Sequence, residues 1–587
     1  MKKVLMMMLL ASATFFQNCA ADDEETAAGT SLQDNTGSTA SSATTTSSDV
    51  ATFDVAINRA SLSEQESIPA DDNDYVENTT FTKSVGIVFS DGGATFSGDI
   101  DGTEISVEES DGDVVVRSTT SAFVAYTVTG STTDGSLKIY SDKKFRLELA
   151  GLSIQNPTGA AINIQSKKRV FVVLASGTTN TLQDGTAYAD ADGSEDMKAC
   201  FFSEGQLCFS GTGSLSVTGN CKAGIRSDDY VTFRPGVNIY VKTTAGNGIK
   251  GNDAVNILGG VINVETSATA AKAISTDGHL RISGGRTTAI VTGGATYDTS
   301  EQDVVGSAGL KADSTLTISG GEVCIKNTGA GGKGISTDMQ TYLQGGTVSV
   351  ITTGKTYSYS GRLDSKAKGI KSDGNLVVSG GTVRVRATGG DGSEGIESKG
   401  TISIEGGNVQ VLAYDDAINA ASHLYIKGGN VYARSTGNDG LDSNGNTYIQ
   451  GGTTVVYGTK APECGIDANE EDGYTVYFTG GSLFAVGGGN SVPTNSNSTQ
   501  GYVAASGSFS AGSAATIASG SQTLATFSLP DSYSNGSILV TAQGMTAGNS
   551  YTLTLGSATA SLTAVQYGSS GMGGGAMPGG GNGRVRW

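Results

Sequence analysis

Histidine and tryptophan are almost absent from this chain, and proline is rare: 2 His, 1 Trp and 7 Pro are spread over 587 residues. Only His279 and His423 exist, neither in a nucleophile or metal motif, so chemistry built on a histidine base or ligand has little to draw on. The six cysteines form no CxxC pair and no Cys/His cluster, which argues against zinc. Cys200 and Cys221 are spaced to meet across adjacent coils, with buried free thiols an equally good reading. Basic residues are outnumbered by acidic ones, giving a net charge of −20. Binding phosphate needs a basic face, so no nucleic-acid partner is expected. Long apolar runs are also missing. The run from Val4 to Phe16 is too short to span a bilayer comfortably.

What is abundant is glycine, 86 residues without a collagen period. Many of them belong to one recurring sentence: Gly-(Ile/Leu)-x-(Ser/Thr/Ala)-(Asp/Asn), a β-rich stretch, Gly-Gly, then Val-x-Val. Gly369-Ile370-Lys371-Ser372-Asp373 leads to Gly380-Gly381, and Gly440-Leu441-Asp442-Ser443-Asn444 leads to Gly451-Gly452. The Gly-Gly pairs begin at Gly259, Gly284, Gly320, Gly345, Gly380, Gly406, Gly428, Gly451 and Gly480, mostly 22 to 26 residues apart. Intervals of 35 and 36 residues fit the same coil carrying an insertion, at about 294–305 and 354–366. A short fixed period of strands and glycine turns predicts an all-β solenoid, a right-handed parallel β-helix with small β caps at both ends. About fourteen coils at the strand spacing of ~4.8 Å give a rod roughly 65–70 Å long. A thin apolar column suffices for such a core, which agrees with a chain only 37% hydrophobic.

The expected boundaries follow the composition. Lys2 and Lys3 precede the short apolar run, an export signal over 1–18. The segment from Phe16 to Glu25 resembles a bacterial lipoprotein signal, with Cys19 as the acylated residue; ordinary signal-peptidase cleavage is the alternative. That resemblance implies a lipid-anchored protein of the bacterial outer membrane or cell surface. Residues 19–50 are Ser/Thr/Gly/Ala-rich and read as a disordered tether. An N-terminal β cap is expected over 51–125, the parallel β-helix over 126–487, a small C-terminal β region over 488–567, and a disordered Gly-rich tail over 568–587.

Stacked coils turn sequence columns into ladders. The inward positions are Ile or Leu of the signature and alternate residues of Val-x-Val. The glycine before Ile allows a bend or close contact with the next coil. The terminal Asp or Asn suits a turn where its side chain bonds local backbone. The residue after Ile/Leu is expected to face solvent. It runs Arg226, Lys250, Ser275, Lys311, Ser336, Lys371, Glu397, Asn419, Asp442, Asp467. The residue two before Ile/Leu runs Ala223, Asn247, Lys272, Ala308, Lys333, Lys368, Glu394, Asp416, Asp439, Cys464. Both columns change from basic or neutral to acidic between the coils near 370 and 396. The acidic half is the metal candidate: carboxylates stacked about 4.8 Å apart repel, and Ca²⁺ between them binds both. The candidate ligands are Glu394, Glu397, Asp415, Asp416, Asn419, Asp439, Asp442 and Asp467. In the basic half, Arg226, Lys250, Lys311, Lys368 and Lys371 are spaced to contact a linear polyanion such as a uronic-acid polysaccharide. A solvated stripe partly paired with the Asp turn column is the alternative.

From about 85 to 490 the chain resembles bacterial carbohydrate-binding-domain proteins of the parallel β-helix type, related in shape to pectate lyases. The resemblance is carried by Leu147-Glu148-Leu149-Ala150-Gly151-Leu152-Ser153-Ile154, Gly211-Thr212-Gly213-Ser214-Leu215-Ser216-Val217, Asp415-Asp416-Ala417-Ile418-Asn419-Ala420 and Asn438-Asp439-Gly440-Leu441-Asp442-Ser443-Asn444-Gly445, and by the Gly/Met-rich tail. It implies Ca²⁺ bound between coils, mapping best onto Asp415, Asp416, Asn419, Asp439 and Asp442, and affinity for plant-type or acidic polysaccharide. The basic stripe rests on the residues alone. The expected protein is a monomeric polysaccharide binder. Two other classes stay open. One is a Ca²⁺-dependent lyase, with Lys371 and Lys368 one coil from Glu394 and Glu397 but no dedicated motif. The other is a surface adhesin or spacer. Outward tyrosines among Tyr425, Tyr432, Tyr448 and Tyr457 would favour sugar stacking over a bare spacer.

Overall fold

Most coils contribute three short strands, each pairing in parallel with its counterpart one coil away. The computed structural model describes residues 48–69, 72–189, 195–361 and 363–568. The expected signal segment 1–18, Cys19, the tether up to residue 47 and the tail from residue 569 lie outside the described residues. The result is a β-solenoid of about 15 turns. The signature strands, such as Lys333–Thr337, Lys368–Ser372 and Ile396–Ser398, form one continuous face. The second face includes Thr341–Leu343 and Leu376–Val378, and the third Thr347–Thr352 and Thr382–Ala387.

The inward column is continuous. Ile225, Ile249, Ile274, Leu310, Ile335, Ile370, Ile396, Ile418 and Leu441 stack in register and are fully buried. Burying each such side chain contributes about 1.5–3 kcal/mol. The glycine before it leaves no room for a side chain: a Cβ on Gly369 would lie 2.2 Å from Val385 Cγ1 and 2.4 Å from the Gly395 carbonyl oxygen. The second glycine of each Gly-Gly corner turns the chain with positive φ, 75° at Gly381.

The solenoid begins earlier than the glycine period implies. Lys83–Ser90 already pairs in parallel with Val124–Thr132, and Asp113–Ser118 with Ser136–Ser141. Antiparallel partners Gly93–Gly98 and Ile105–Ser110 cover this end. Among the described residues of 51–82, expected within a β cap, there is no strand. Beyond a short helix, Ser48–Thr52, they run as an extended strap along the third face, with a short 3-10 helix at Val76–Asn78. Val50 is buried in the C-terminal core, Asp54 pairs with Lys326 at 2.8 Å, and Glu64 accepts from the Gly260 amide at 2.6 Å. The strap ends on Arg234, only 3% exposed, which is held by Glu66 and Glu77 at 2.9 Å each. Buried guanidinium is stable only when paired, so this contact fixes the strap in place.

At the other end, Tyr533–Thr541 pairs antiparallel with the last coil strand Ser482–Gly487 and with Tyr502–Phe509, closing the open edge. A four-stranded sheet from Ser513–Ser519, Gln522–Leu529, Ser550–Leu555 and Ala558–Thr563 packs over Phe484, Tyr432 and Tyr457. The two insertions form hairpins, Thr296–Asp298 with Asp303–Val305 and Tyr357–Ser360 with Leu363–Ser365. Tyr297 and Tyr359 stack between them, 4.0 Å apart. Cys200 and Cys221 are free thiols.

Candidate functional site

The strap covers part of the third face, and the charged columns lie on the signature face. Strand pairing reproduces its first column in order: Arg226, Lys250, Ser275, Lys311, Ser336, Lys371, Glu397, Asn419 and Asp442 are successive partners. Asp467 follows through the bridge between Leu441 and Ile466. The column is less exposed than expected. The Lys250, Lys311 and Lys371 side chains keep only about one-fifth of their surface, because the Asp turn column folds over them.

Those aspartates bond lysines and arginines rather than mainly local backbone. Arg226 Nε lies 3.2 Å from Asp228, Lys250 Nζ 2.8 Å from Asp277, Lys311 Nζ 3.0 Å from Asp313, and Lys371 Nζ 2.5 Å from Asp373. Lys311 also reaches Asp338. Partly exposed pairs of this kind are worth about 0–1 kcal/mol, so exchange of Asp for another carboxylate is cheap. The second column differs. Lys272 donates to the Ala270 carbonyl at 2.7 Å, and Lys333 to the Gly331 carbonyl at 3.1 Å and to Ser365. Burial, followed by repulsion from Lys371 and Lys368, pushes Lys333 down to about 8.

Where the columns change sign, the structure removes three residues from the expected ligand sets. Lys368 Nζ lies 2.6 Å from Glu394 and 3.3 Å from Glu397, all three nearly enclosed, and Lys399 caps Glu397. Cations and carboxylates on consecutive coils neutralise one another here. Lys368 is therefore a buried partner rather than a cation facing a polymer. Glu394 and Glu397 are occupied by ammonium groups.

The remaining acids behave otherwise. Asp439, Asp442 and Asp467 bring carboxylate oxygens within 4.8 Å of one another. Among the described residues, no Lys or Arg pairs with them or with Asp416. Asp416 accepts from Asn419 Nδ2 at 2.7 Å and from the Asp439 amide at 3.2 Å. Asp415 accepts from the Gly392 amide and Asn438 Nδ2, both at 2.7 Å. Asp467 accepts from Ser491 Oγ at 2.7 Å, and Asp439 from the Cys464 amide. Burial first, and neighbouring carboxylates after it, push Asp439 up to about 8 and Asp416 and Asp442 up to about 7. Two like charges ~4 Å apart repel by about 4 kcal/mol at an effective dielectric near 20. The cluster therefore calls for protons or a cation. The only other such acidic group among the described residues, Asp196, Glu204 and Asp228, already holds a cation: Lys198 lies 2.5 Å from both aspartates.

The four tyrosines divide. Tyr425 and Tyr448 stack outward on the second face, 4.6 Å apart, and Tyr477 extends the ladder at 4.9 Å. Tyr432 and Tyr457 are buried beneath the C-terminal sheet. Tyr477 lies outside the four tyrosines expected from the sequence, although its place three residues before Gly480 matches that of Tyr425 before Gly428 and Tyr448 before Gly451.

A family model described as carbohydrate-binding domain-containing protein matches residues 110–276 and 388–551, together more than half of the chain. A protein of Acetivibrio thermocellus with the same description is 33% identical over 120 residues, 20% of this chain. The chain spans 42% of that relative's length. A solved structure, the polysaccharide lyase-like protein from C. thermocellum as a gadolinium derivative, aligns with a TM-score of 0.31 and 22% identity over 55% of this chain and 96% of that one.

Proposed function

Because this chain belongs to the carbohydrate-binding domain-containing protein family, we propose that it binds an acidic polysaccharide along the signature face without cleaving it. The observation that carries the reading is the placement of the family match, whose two stretches contain Arg226 and Lys250 on one side and the acidic cluster on the other. Arg226, Lys250, Lys311 and Lys371 would take the polymer carboxylates, Lys311 and Lys371 in place of their aspartates, an exchange that costs about 1 kcal/mol or less per pair.

Asp439, Asp442 and Asp467, with Asp416 beside them, would hold Ca²⁺, a hard cation that takes clustered carboxylates. Bound there, Ca²⁺ supplies a positive centre for a sugar carboxylate in an otherwise acidic region. Asn419 orients Asp416 by a hydrogen bond, and Asp415 ties its coil to the next through Asn438. The protein is proposed to act as a monomer at a bacterial surface, anchored through acylated Cys19; a Cys19→Ala protein that still fractionates with membranes would refute the anchor. A glycan array tests the binding reading. Retention confined to uronate-containing glycans is expected, and retention of none would leave the spacer role.

A further inference from the structure

Away from the acidic cluster, the signature face carries an open cavity of about 390 Å³ across the coils of residues 198–271. Its charged lining is entirely cationic: Lys198, Lys222, Arg226 and Lys250. Cys221, Asn247 and residues 269–271 are among the uncharged residues that line it. Three of these cations are steadied by carboxylates that do not themselves line the cavity. Asp228 holds Lys198 at 2.5 Å and Arg226 at 3.2 Å, and Asp277 holds Lys250 at 2.8 Å. Lys222 is different. Its ammonium donates to the Met197 carbonyl at 2.7 Å and lies 5.1 Å over the Tyr188 ring, and among the described residues it has no acidic partner. An ammonium offers three donors, so Lys222 keeps donor capacity for a ligand. Arg226 spends Nε on Asp228 and Nη2 on Asn252, leaving Nη1.

We propose that this cavity is a binding subsite for one anionic sugar residue, taking its carboxylate or sulfate between Lys222, Arg226 and Lys250. The inference rests on the carbohydrate-binding reading above and adds a discrete pocket to an extended face. Its volume lies at the small end of ligand sites, which suits a monosaccharide or disaccharide unit. Several cations fixed by outer carboxylates form a preorganised anion receptor, since their side-chain freedom is already spent before the ligand arrives.

The test is calorimetric titration of the full chain at low salt with chelator present, which removes any cation-bridged contribution. The probes are digalacturonate, the neutral galactose disaccharide of the same linkage, a sulfated disaccharide and inorganic phosphate. Binding of the charged disaccharides, and weakening by about tenfold for each of Lys222→Gln and Arg226→Gln, is the expected result. Lys222→Arg should restore most of the affinity, and unchanged melting of the three variants excludes misfolding. Preference for carboxylate or sulfate names the anion. Phosphate binding as tightly as the sugars, or variants that bind like wild type, would overturn the subsite. Retention on immobilised polygalacturonate is measured in parallel. If the polymer is retained equally by wild type and Lys222→Gln, the subsite falls while the broader reading stands. If charged disaccharides bind but no polymer does, the subsite stands and the extended-face reading falls.

Discussion

Lys368 Nζ sits 2.6 Å from Glu394 Oε1 on the next coil, at the level where both columns reverse their charge. The lysine side chain is 7% exposed and the glutamate 10%. The pair and its neighbour Glu397 therefore act as a buried junction between a basic and an acidic half.

Replacing Lys368 by Met strands Glu394 and Glu397 in a poorly solvated site, and a loss of about 3–5 kcal/mol is expected. Lys311→Met breaks only partly exposed pairs and should cost about 1 kcal/mol or less. Urea unfolding of the two variants separates them; equal losses would show that the junction is not a special site.

The aspartate cluster makes stability depend on pH in a defined direction. Folding raises Asp416, Asp439 and Asp442 from the ordinary value near 4 to about 7–8. The folded chain then binds protons that the unfolded chain has released. Their stabilising contribution is fully present below the unfolded value and is lost as pH rises through the folded values. In chelator, the melting temperature should fall between about pH 4 and pH 8 more steeply for wild type than for an Asp439→Asn, Asp442→Asn protein. Parallel curves would count against a protonated cluster.

Calcium should reverse that trend. Protons compete with the cation, so the gain on adding Ca²⁺ is expected to be larger at pH 8 than at pH 6. At a concentration near 100 Kd the gain is about 2.7 kcal/mol. Asp439→Ala with Asp442→Ala should abolish the response, and a wild-type melting curve indifferent to chelator would remove the site.

Gly369→Ala tests the coil geometry. Its Cβ would meet Val385 Cγ1 and the Gly395 carbonyl oxygen at 2.2 and 2.4 Å, so a cost of about 1–3 kcal/mol is expected. A neutral outcome in thermal unfolding would mean that neighbouring coils can separate at that position.

The sequence made some of this legible and hid the rest for physical reasons. Within the repeat, strand period and glycine corners dictate register, so Lys311, Ser336 and Lys371 could be aligned without coordinates, and strand pairing aligns them the same way. The first coils lack Gly-Gly corners, and Val85, Ile87 and Phe89 show only alternation that any strand shares. The strap carries no period at all. Glu66 and Arg234 are 168 residues apart, and nothing local joins them. Columns read one at a time also concealed cross-pairing. Asp277 belongs to the turn column and Lys250 to the outward column, yet they neutralise each other. The cationic cavity was missed for a related reason: Lys198 and Lys222 lie outside both columns and converge with Arg226 only through folding.

The most direct test of the account is retention of the purified protein on immobilised polygalacturonate, at low and high salt, with absorbance followed for unsaturated product. The account predicts retention at low salt, weakening as salt screens the charges, further weakening for Lys311→Gln with Lys371→Gln, and no rise in absorbance. Product formation would make the protein a lyase, and failure to be retained at low salt would contradict the binding reading.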